Sequence, residues 1–301
     1  RARYQEGLDH VGRALQLDAY DARANFLSGI LHRALGHAAD ARDAFGWAAR
    51  SMEYRSVAYT QLAELMIGER SFGEAARYAW LALDYDRHAL EGWRALAVAS
   101  RLAGDGEQAA EAVAELWRLD PLGHAALAEE HLTRPTPASA RALAGALGGE
   151  YPDQTLLELA VGYAGLGLTD DALTLLDLPG SGRDGAEHRA WRAFLLGDPA
   201  LLADPGSPAF QFPYRLESLP VLEWADAHGD AWAWSWLRAL SLWSLDRREE
   251  AADLLTALGD APDFAPAYAT RGLLLEEVRG ADPIPDLRRA VRMEPANRIL
   301  H

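Results

Sequence analysis

The chain has 301 residues, half of them apolar, and carries 29 basic against 45 acidic side chains for a net charge of −16. Such acidity repels phosphate backbones and argues against nucleic acid as a partner, and no run of about 18 uncharged apolar residues exists to span a membrane. Cysteine is absent, which removes disulfides and thiolate metal sites and fits a cytoplasmic protein, and every basic residue is arginine, which removes Schiff-base lysines and the phosphate-loop lysine.

In chain order, the opening Arg1-Ala-Arg-Tyr-Gln-Glu-Gly-Leu8 reads as the second helix of a hairpin whose first helix lies upstream, so the sequence is expected to be a piece of a longer protein. Small residues then recur every 34 positions, at Gly7, Ala41, Ala75 and Ala109. Parallel registers run through Ala14, Ala48, Ala82 and Leu116, and through Gly29, Ala63 and Ala97. A 34-residue period in an Ala- and Leu-rich chain predicts stacked helix–turn–helix units. Glycine and alanine are required where two helices cross at about 8–10 Å.

Residues 90–121 form the clearest unit: Trp93, Leu96, Ala97 and Ser100 make one stripe, Gly104 ends the first helix, Gln108, Ala109, Val113 and Leu116 make the second stripe, and Pro121 closes the unit. In 122–152 the run Thr133-Arg-Pro135-Thr-Pro137 interrupts the pattern, with Thr136 or Ser139 as the cap of a new helix. Helical units follow at 153–178, 232–258 and 264–295, and the chain leaves through Met293-Glu-Pro295-Ala-Asn297 as though into a further repeat. Residues 197–215, with Pro199, Pro205, Pro208 and Pro213 and the run Phe210-Gln-Phe212-Pro-Tyr214, predict a long irregular segment of the kind that carries function or docks on its scaffold.

Trp93, Leu96, Ala97, Gly104, Ala109, Leu119 and Pro121, with weaker copies at 22–55, 56–89, 153–178, 232–258 and 264–295, resemble the tetratricopeptide repeat (TPR) family. The resemblance implies an all-α, right-handed superhelical solenoid of antiparallel helix pairs. It is regular over 1–121, degenerate over 122–215 and again repeat-like, and Trp-rich, over 216–301. It also implies that the first helix of each unit lines a concave face that binds a protein or peptide. A second likeness covers 208–295, through Phe212-Pro-Tyr-Arg-Leu-Glu-Ser218, Leu222-Glu-Trp224, Arg247-Arg-Glu-Glu-Ala251 and Gly259-Asp-Ala-Pro-Asp-Phe264-Ala-Pro266. It resembles the C-terminal helical region of large bacterial proteins with an upstream β-sandwich domain of unknown function, which implies a sugar-related context.

On the concave stripe the reading places Arg23, Phe26, Ile30 and Arg33, then Thr60, Glu64 and Ile67, then Arg94, Val98 and Arg101. Four arginines on an acidic protein form a local positive strip suited to carboxylates. The family's carboxylate clamp for chaperone tails needs Lys and Asn, and this chain offers only Asn25 and Asn297. Trp232, Trp236 and Trp243 share one helix face with Trp234 nearly opposite, the pattern of a helix buried on two sides; with Phe210, Phe212 and Tyr214 they are the second candidate surface.

Motifs with chemical potential have simpler readings. Gly180-Ser-Gly182-Arg-Asp-Gly185 spells a dinucleotide fingerprint but follows helical sequence instead of a strand, so it reads as a turn. His32 and His37, five apart, point over 100° apart on a helix, and Glu129, Glu130 and His131 splay to different faces, so no metal site is expected. Asp170/Asp171 and Glu249/Glu250 stand in first helical turns, where they complement the helix dipole. No catalytic set and no cofactor are expected. The sequence thus points to a non-enzymatic protein-interaction scaffold, with an accessory region of a larger bacterial carbohydrate-active protein as the alternative. Uncapped ends would favour self-association.

Overall fold

A computed structural model of the chain describes residues 2–147, 152–178 and 185–296. Among these the backbone forms seventeen α-helices, one short 3-10 helix and no strand, the all-α paired-helix repeat that the 34-residue spacing predicts. None of these helices is long and apolar enough to cross a membrane. The chain divides into two compact units, Arg1–Pro152 with Glu158–Pro179, and Asp153–Leu157 with Gly180–His301.

In the first unit α1 (Ala2–Leu17) packs on α2 (Ala22–Leu35), which pairs with α3 (Ala38–Ala48). The pairs α4 (Arg55–Gly68) with α5 (Phe72–Tyr85), α6 (Leu90–Ala103) with α7 (Gly106–Leu119), and α8 (Ala125–Thr133) with α9 (Pro137–Ala146) follow, each packed on its predecessor. Helices α10 (Pro152–Gly165) and α11 (Thr169–Leu176) come next in the chain.

Three hairpins close alike. Gly36, Arg70 and Gly104, 34 residues apart, all adopt left-handed backbone, with φ of 82°, 59° and 80°. After each, an amide reaches back across the helix end: His37 N–H to the His32 carbonyl (2.9 Å), Ser71 to Met66 (2.8 Å) and Asp105 to Ser100 (2.9 Å). This is the closure that satisfies the last helical carbonyls. Arg70 adopts it at a cost of about 1 kcal/mol that a glycine avoids. Helix starts are fixed by side chains: Asp21 accepts from Ala24 N–H (2.7 Å), Asp105 from Gln108 N–H (3.1 Å), and Thr136 with Ser139 forms a reciprocal capping box at α9.

The fixed-period residues are where the helices meet. Ala41, Ala75, Ala48, Ala82, Ala63 and Ala97 are wholly buried, and Ala109 and Leu116 nearly so. Gly7 is half-buried, its missing Cβ within 3.1 Å of Leu31, and Ala14 is exposed on α1. Gly29 shows the tightest fit: a Cβ there would lie 2.5 Å from the ring of fully buried Phe45. One and two periods later the pair becomes Ala63 with Ala79 and Ala97 with Val113, so the large ring of Phe45 is matched by the missing methyl of Gly29. Gly29→Ala should therefore destabilise, although alanine is the better helix former. Overpacking of about 1–3 kcal/mol outweighs the ~1 kcal/mol of propensity gained. Gly29→Ala with Phe45→Leu should recover part of the loss in urea unfolding, and an equal or higher midpoint for Gly29→Ala alone would refute the fit.

The second unit contains α12 (Ala186–Leu196), a 3-10 turn (Pro199–Leu202), α13 (Ser218–His228), α14 (Trp232–Ser244), α15 (Arg248–Ala257), α16 (Ala265–Arg279) and α17 (Ile284–Met293), packed in sequence. Its aromatic residues are largely structural. Trp234 is wholly buried and donates to the Leu202 carbonyl (3.2 Å). Trp191 donates to Ser218 Oγ (3.0 Å), which donates to Glu187 (2.5 Å). Burial pushes the Glu187 carboxyl above its usual range, against the hydrogen bond from Ser218 and the charge of Arg215. Tyr268, also buried, donates to the Pro262 carbonyl (2.9 Å) and lies under Arg289, 4.4 Å from its ring centre.

Candidate partner-binding site

The arginine strip expected along the first helices is largely occupied by the protein's own carboxylates. Arg33 binds Gln61 (2.7 Å) and Glu64. Arg101, whose side chain is 9% exposed, binds Glu129 (2.8 Å) and Asp171 (2.7 Å), and Glu129 also accepts from the Tyr163 hydroxyl (2.5 Å). Burial works against the Arg101 charge, but the two carboxylates more than offset it and its pKa is raised. Burial and Glu129 push the Tyr163 hydroxyl well above its usual range. Arg94 lies 3.7 Å from Glu91 and 5.7 Å above the Tyr163 ring. Arg23 is exposed and makes no ion pair among the described residues. Phe26 is half-buried against Phe45 (5.6 Å) and Tyr54 (5.5 Å), and Thr60, Ile67 and Val98 are core residues.

In the second unit Trp232 and Trp236 meet around Phe264, at 6.4 and 5.4 Å; Trp236 is buried and Trp232 half-buried. Phe210, Phe212 and Tyr214 are 78%, 68% and 57% exposed. They lie on the irregular segment expected at 197–215, with Arg215 4.6 Å above the Tyr214 ring and Phe210 in left-handed backbone. The segment is tied at Asp204, whose carboxylate accepts from Arg189 at 2.8 Å. The Gly180–Asp184 part of the dinucleotide-like run lies outside the described residues.

A different surface of the first unit gathers three arginines, two of them without a carboxylate partner among the described residues. Where α3 ends and α4 and α5 pass, a groove of about 540 Å³ is lined by Arg50, Arg55, Arg77, Tyr59, Tyr78 and Tyr85. The tyrosine rings form a ladder, Tyr59 stacking on Tyr78 at 6.1 Å and on Tyr85 at 6.3 Å. Arg55 lies over Tyr85 (4.7 Å) and is held by the Ala49 and Arg50 carbonyls (both 2.9 Å). Arg77 lies over Tyr78 (4.4 Å) and pairs with Glu74 (3.2 Å), whose hydrogen bond, with that to Tyr78, raises its pKa further. Arg50 lies over Trp47 at 3.9 Å. Among the described residues Arg50 and Arg55 make no ion pair with a carboxylate. Sequence periodicity alone does not assemble this groove. Its signal was present as Arg55 and Tyr59 at i, i+4 and Tyr78 and Tyr85 at i, i+7, each on one helix face.

The structure also corrects the reading of His32 and His37. That reading kept both on one helix, but α2 ends at Leu35 and Gly36 turns the chain in left-handed backbone. His37 thereby comes back over the helix end, with its Nδ1 3.3 Å from His32 Nδ1. Glu129, Glu130 and His131 do diverge as expected: Glu129 meets Arg101, Glu130 accepts from Trp117 (2.8 Å) and His131 bonds Ser139 (2.8 Å).

No protein-family profile and no curated protein sequence match the chain. Among solved structures it is similar to a chain of the APC/C hetero-tetramer Cut9–Hcn1, at 14% identity and TM-score 0.36 over 99% of this chain and 51% of that one. It therefore spans about half the length of that relative. It is also similar to a tetratricopeptide repeat protein from Parabacteroides merdae (13% identity, TM-score 0.35, 93% and 95% coverage). The P58(IPK) TPR domain is a further match (13% identity, TM-score 0.28, 99% and 90% coverage). These identities and scores are low, and the all-α repeat fold rests on the helix pairs of the chain itself.

Proposed function

We propose that the chain is a non-enzymatic protein-interaction scaffold that takes an acidic, aromatic-containing peptide segment in the groove between α3, α4 and α5. The observation that supports this is the set Arg50, Arg55 and Arg77 interleaved with Tyr59, Tyr78 and Tyr85 on a protein of net charge −16. Arginine and tyrosine are, with tryptophan, the residue types enriched among those that carry binding energy at protein interfaces. Salt confines the field of distant acidic residues to about 8–10 Å, so the groove presents a local positive potential. The tyrosine ladder offers flat amphipathic surface for a partner's side chains, and each guanidinium can hold a carboxylate through a pair of hydrogen bonds.

The exposed aromatics Phe210, Phe212 and Tyr214 favour a second reading, in which the second unit packs on another domain of a larger bacterial protein. One experiment separates the two. The chain is titrated against an array of Asp/Glu-rich peptides carrying one Phe or Tyr. Arg50→Glu with Arg77→Glu should weaken the best binder by about 100-fold or more, since each charged hydrogen-bonded contact is worth ~1.5–3 kcal/mol and two are lost. Added salt should weaken the wild type as well. Binding that survives the double reversal but is lost in Phe210→Ser with Phe212→Ser would move the site to the second unit, and no binding by the wild type would sink the acidic-peptide reading.

A further inference from the structure

We infer that His32, His37 and Asp40 form a binding site for a Zn²⁺ ion at the turn between α2 and α3. His32 stands in the last turn of α2, His37 at the cap position of α3 and Asp40 in its first turn. The ligand atoms of the three side chains lie within 4.8 Å of one another, His32 Nδ1 being 3.3 Å from His37 Nδ1 and 3.9 Å from Asp40 Oδ2. Zinc–nitrogen bonds of about 2.0–2.1 Å at tetrahedral angles place two nitrogens about 3.3–3.4 Å apart, so the imidazole pair already has the spacing of a shared ion. The carboxylate, 3.9 Å from His32 Nδ1, must swing closer to complete the site, and Asp40 is exposed, with room to turn.

The backbone builds this arrangement. Gly36 in left-handed geometry and the bond from His37 N–H to the His32 carbonyl (2.9 Å) fix the two histidines on either side of the turn. His37 does not cap α3 with its side chain, which leaves the ring turned to its partner. The carbonyl end of α2 favours a cation and the amide end of α3 opposes it, so the affinity rests on the three side chains. Two imidazoles and one carboxylate suit Zn²⁺ and disfavour the oxygen-seeking Mg²⁺ and Ca²⁺. Three protein ligands at a solvent-exposed turn leave the fourth position to water.

The test is calorimetric titration of the tag-free chain with ZnCl₂, with MgCl₂ as the reference ion. One Zn²⁺ per chain is expected. Loss of a direct ligand in His32→Ala or His37→Ala should weaken binding by more than the roughly tenfold that removal of a supporting partner costs, with a smaller loss in Asp40→Asn. His10→Ala, on α1, should bind as the wild type does. Because all three ligands lie at the turn, far-ultraviolet circular dichroism should show the variants folded. Independently of the variants, Co²⁺ bound to the wild-type chain should give the visible bands of a tetrahedral nitrogen–oxygen site. The inference is overturned by a wild type that binds no Zn²⁺, which would leave the ring contact as an N–H···N hydrogen bond only. Undiminished binding in both histidine variants, or Co²⁺ bands of six-coordinate type, would overturn it equally.

Discussion

Arg101→Met should lower the unfolding free energy by about 3–5 kcal/mol, the cost of leaving buried charge without its partner. The guanidinium joins α6 to Glu129 of α8 and Asp171 of α11, and Glu129 is 1% exposed. Methionine fills the space but abandons two carboxylates, one of them almost fully enclosed beside the Tyr163 hydroxyl. Against a total stability of about 5–15 kcal/mol the loss is large. The diagnostic comparison is the triple variant Arg101→Met, Glu129→Gln, Asp171→Asn. It removes all three charges while the amide oxygen placed at position 129 can still accept from Tyr163, and it should recover most of the loss, because uncharged replacement of a buried ionic cluster is often neutral. Urea unfolding followed by circular dichroism measures both. A loss for Arg101→Met below about 1 kcal/mol, the range of exposed ion pairs, would mean that water reaches the cluster and compensates it.

In the second unit the largest effect is expected at Trp234. It is wholly buried, it satisfies the Leu202 carbonyl at 3.2 Å, and its ring lies where a Cβ on Gly229 would come within 2.6 Å. Trp234→Ala removes that ring from a packed core and should cost about 3–5 kcal/mol. Trp234→Phe keeps most of the volume but strands the carbonyl, and should cost less, on the order of 1–3 kcal/mol. By contrast Phe210→Ala, at a residue 78% exposed, should change stability within about 0.5 kcal/mol. The same denaturation series ranks the three, and a Trp234→Ala midpoint no lower than that of Phe210→Ala would contradict the burial on which the argument stands.

These two residues also mark what could be read from the chain alone. Trp234 was legible as core because its helix carries tryptophan on opposite faces, and a surface helix does not. The helix pairs were legible because close crossings demand glycine or alanine at one spacing, because Gly104 supplies the left-handed turn between two helices, and because Pro121, with no N–H to donate, cannot continue a helix. From sequence alone Arg101 looks like a groove residue, since its partners stand 28 and 70 positions away and no helical period links them. Arg70 hid its left-handed turn because an arginine at that position carries no local sign of it. The pairing of His32 with His37 was hidden for the opposite reason. A five-residue spacing means one thing along a helix and another across its end, and the helix boundary at Leu35 had to be known first. The tyrosine ladder combines a side chain on α4 with two on α5, so only the packing of that hairpin assembles it.

The recurrence of one turn closure at Gly36, Arg70 and Gly104 bears on how such a chain grows. Each hairpin turns from its first helix to its second in the same way and offers the next one small side chains in the same register, so an added copy would meet surfaces that already fit it. Contacts in such arrays run between neighbours, so one seam can drift while the next is untouched. Gly29 with Phe45 differs from its counterparts Ala63 with Ala79 and Ala97 with Val113 in this way: greater bulk on one helix is matched by less on the other, within a single hairpin. Length and partner preference can then evolve separately, the first by whole hairpins and the second by residues on a seam's outer edge.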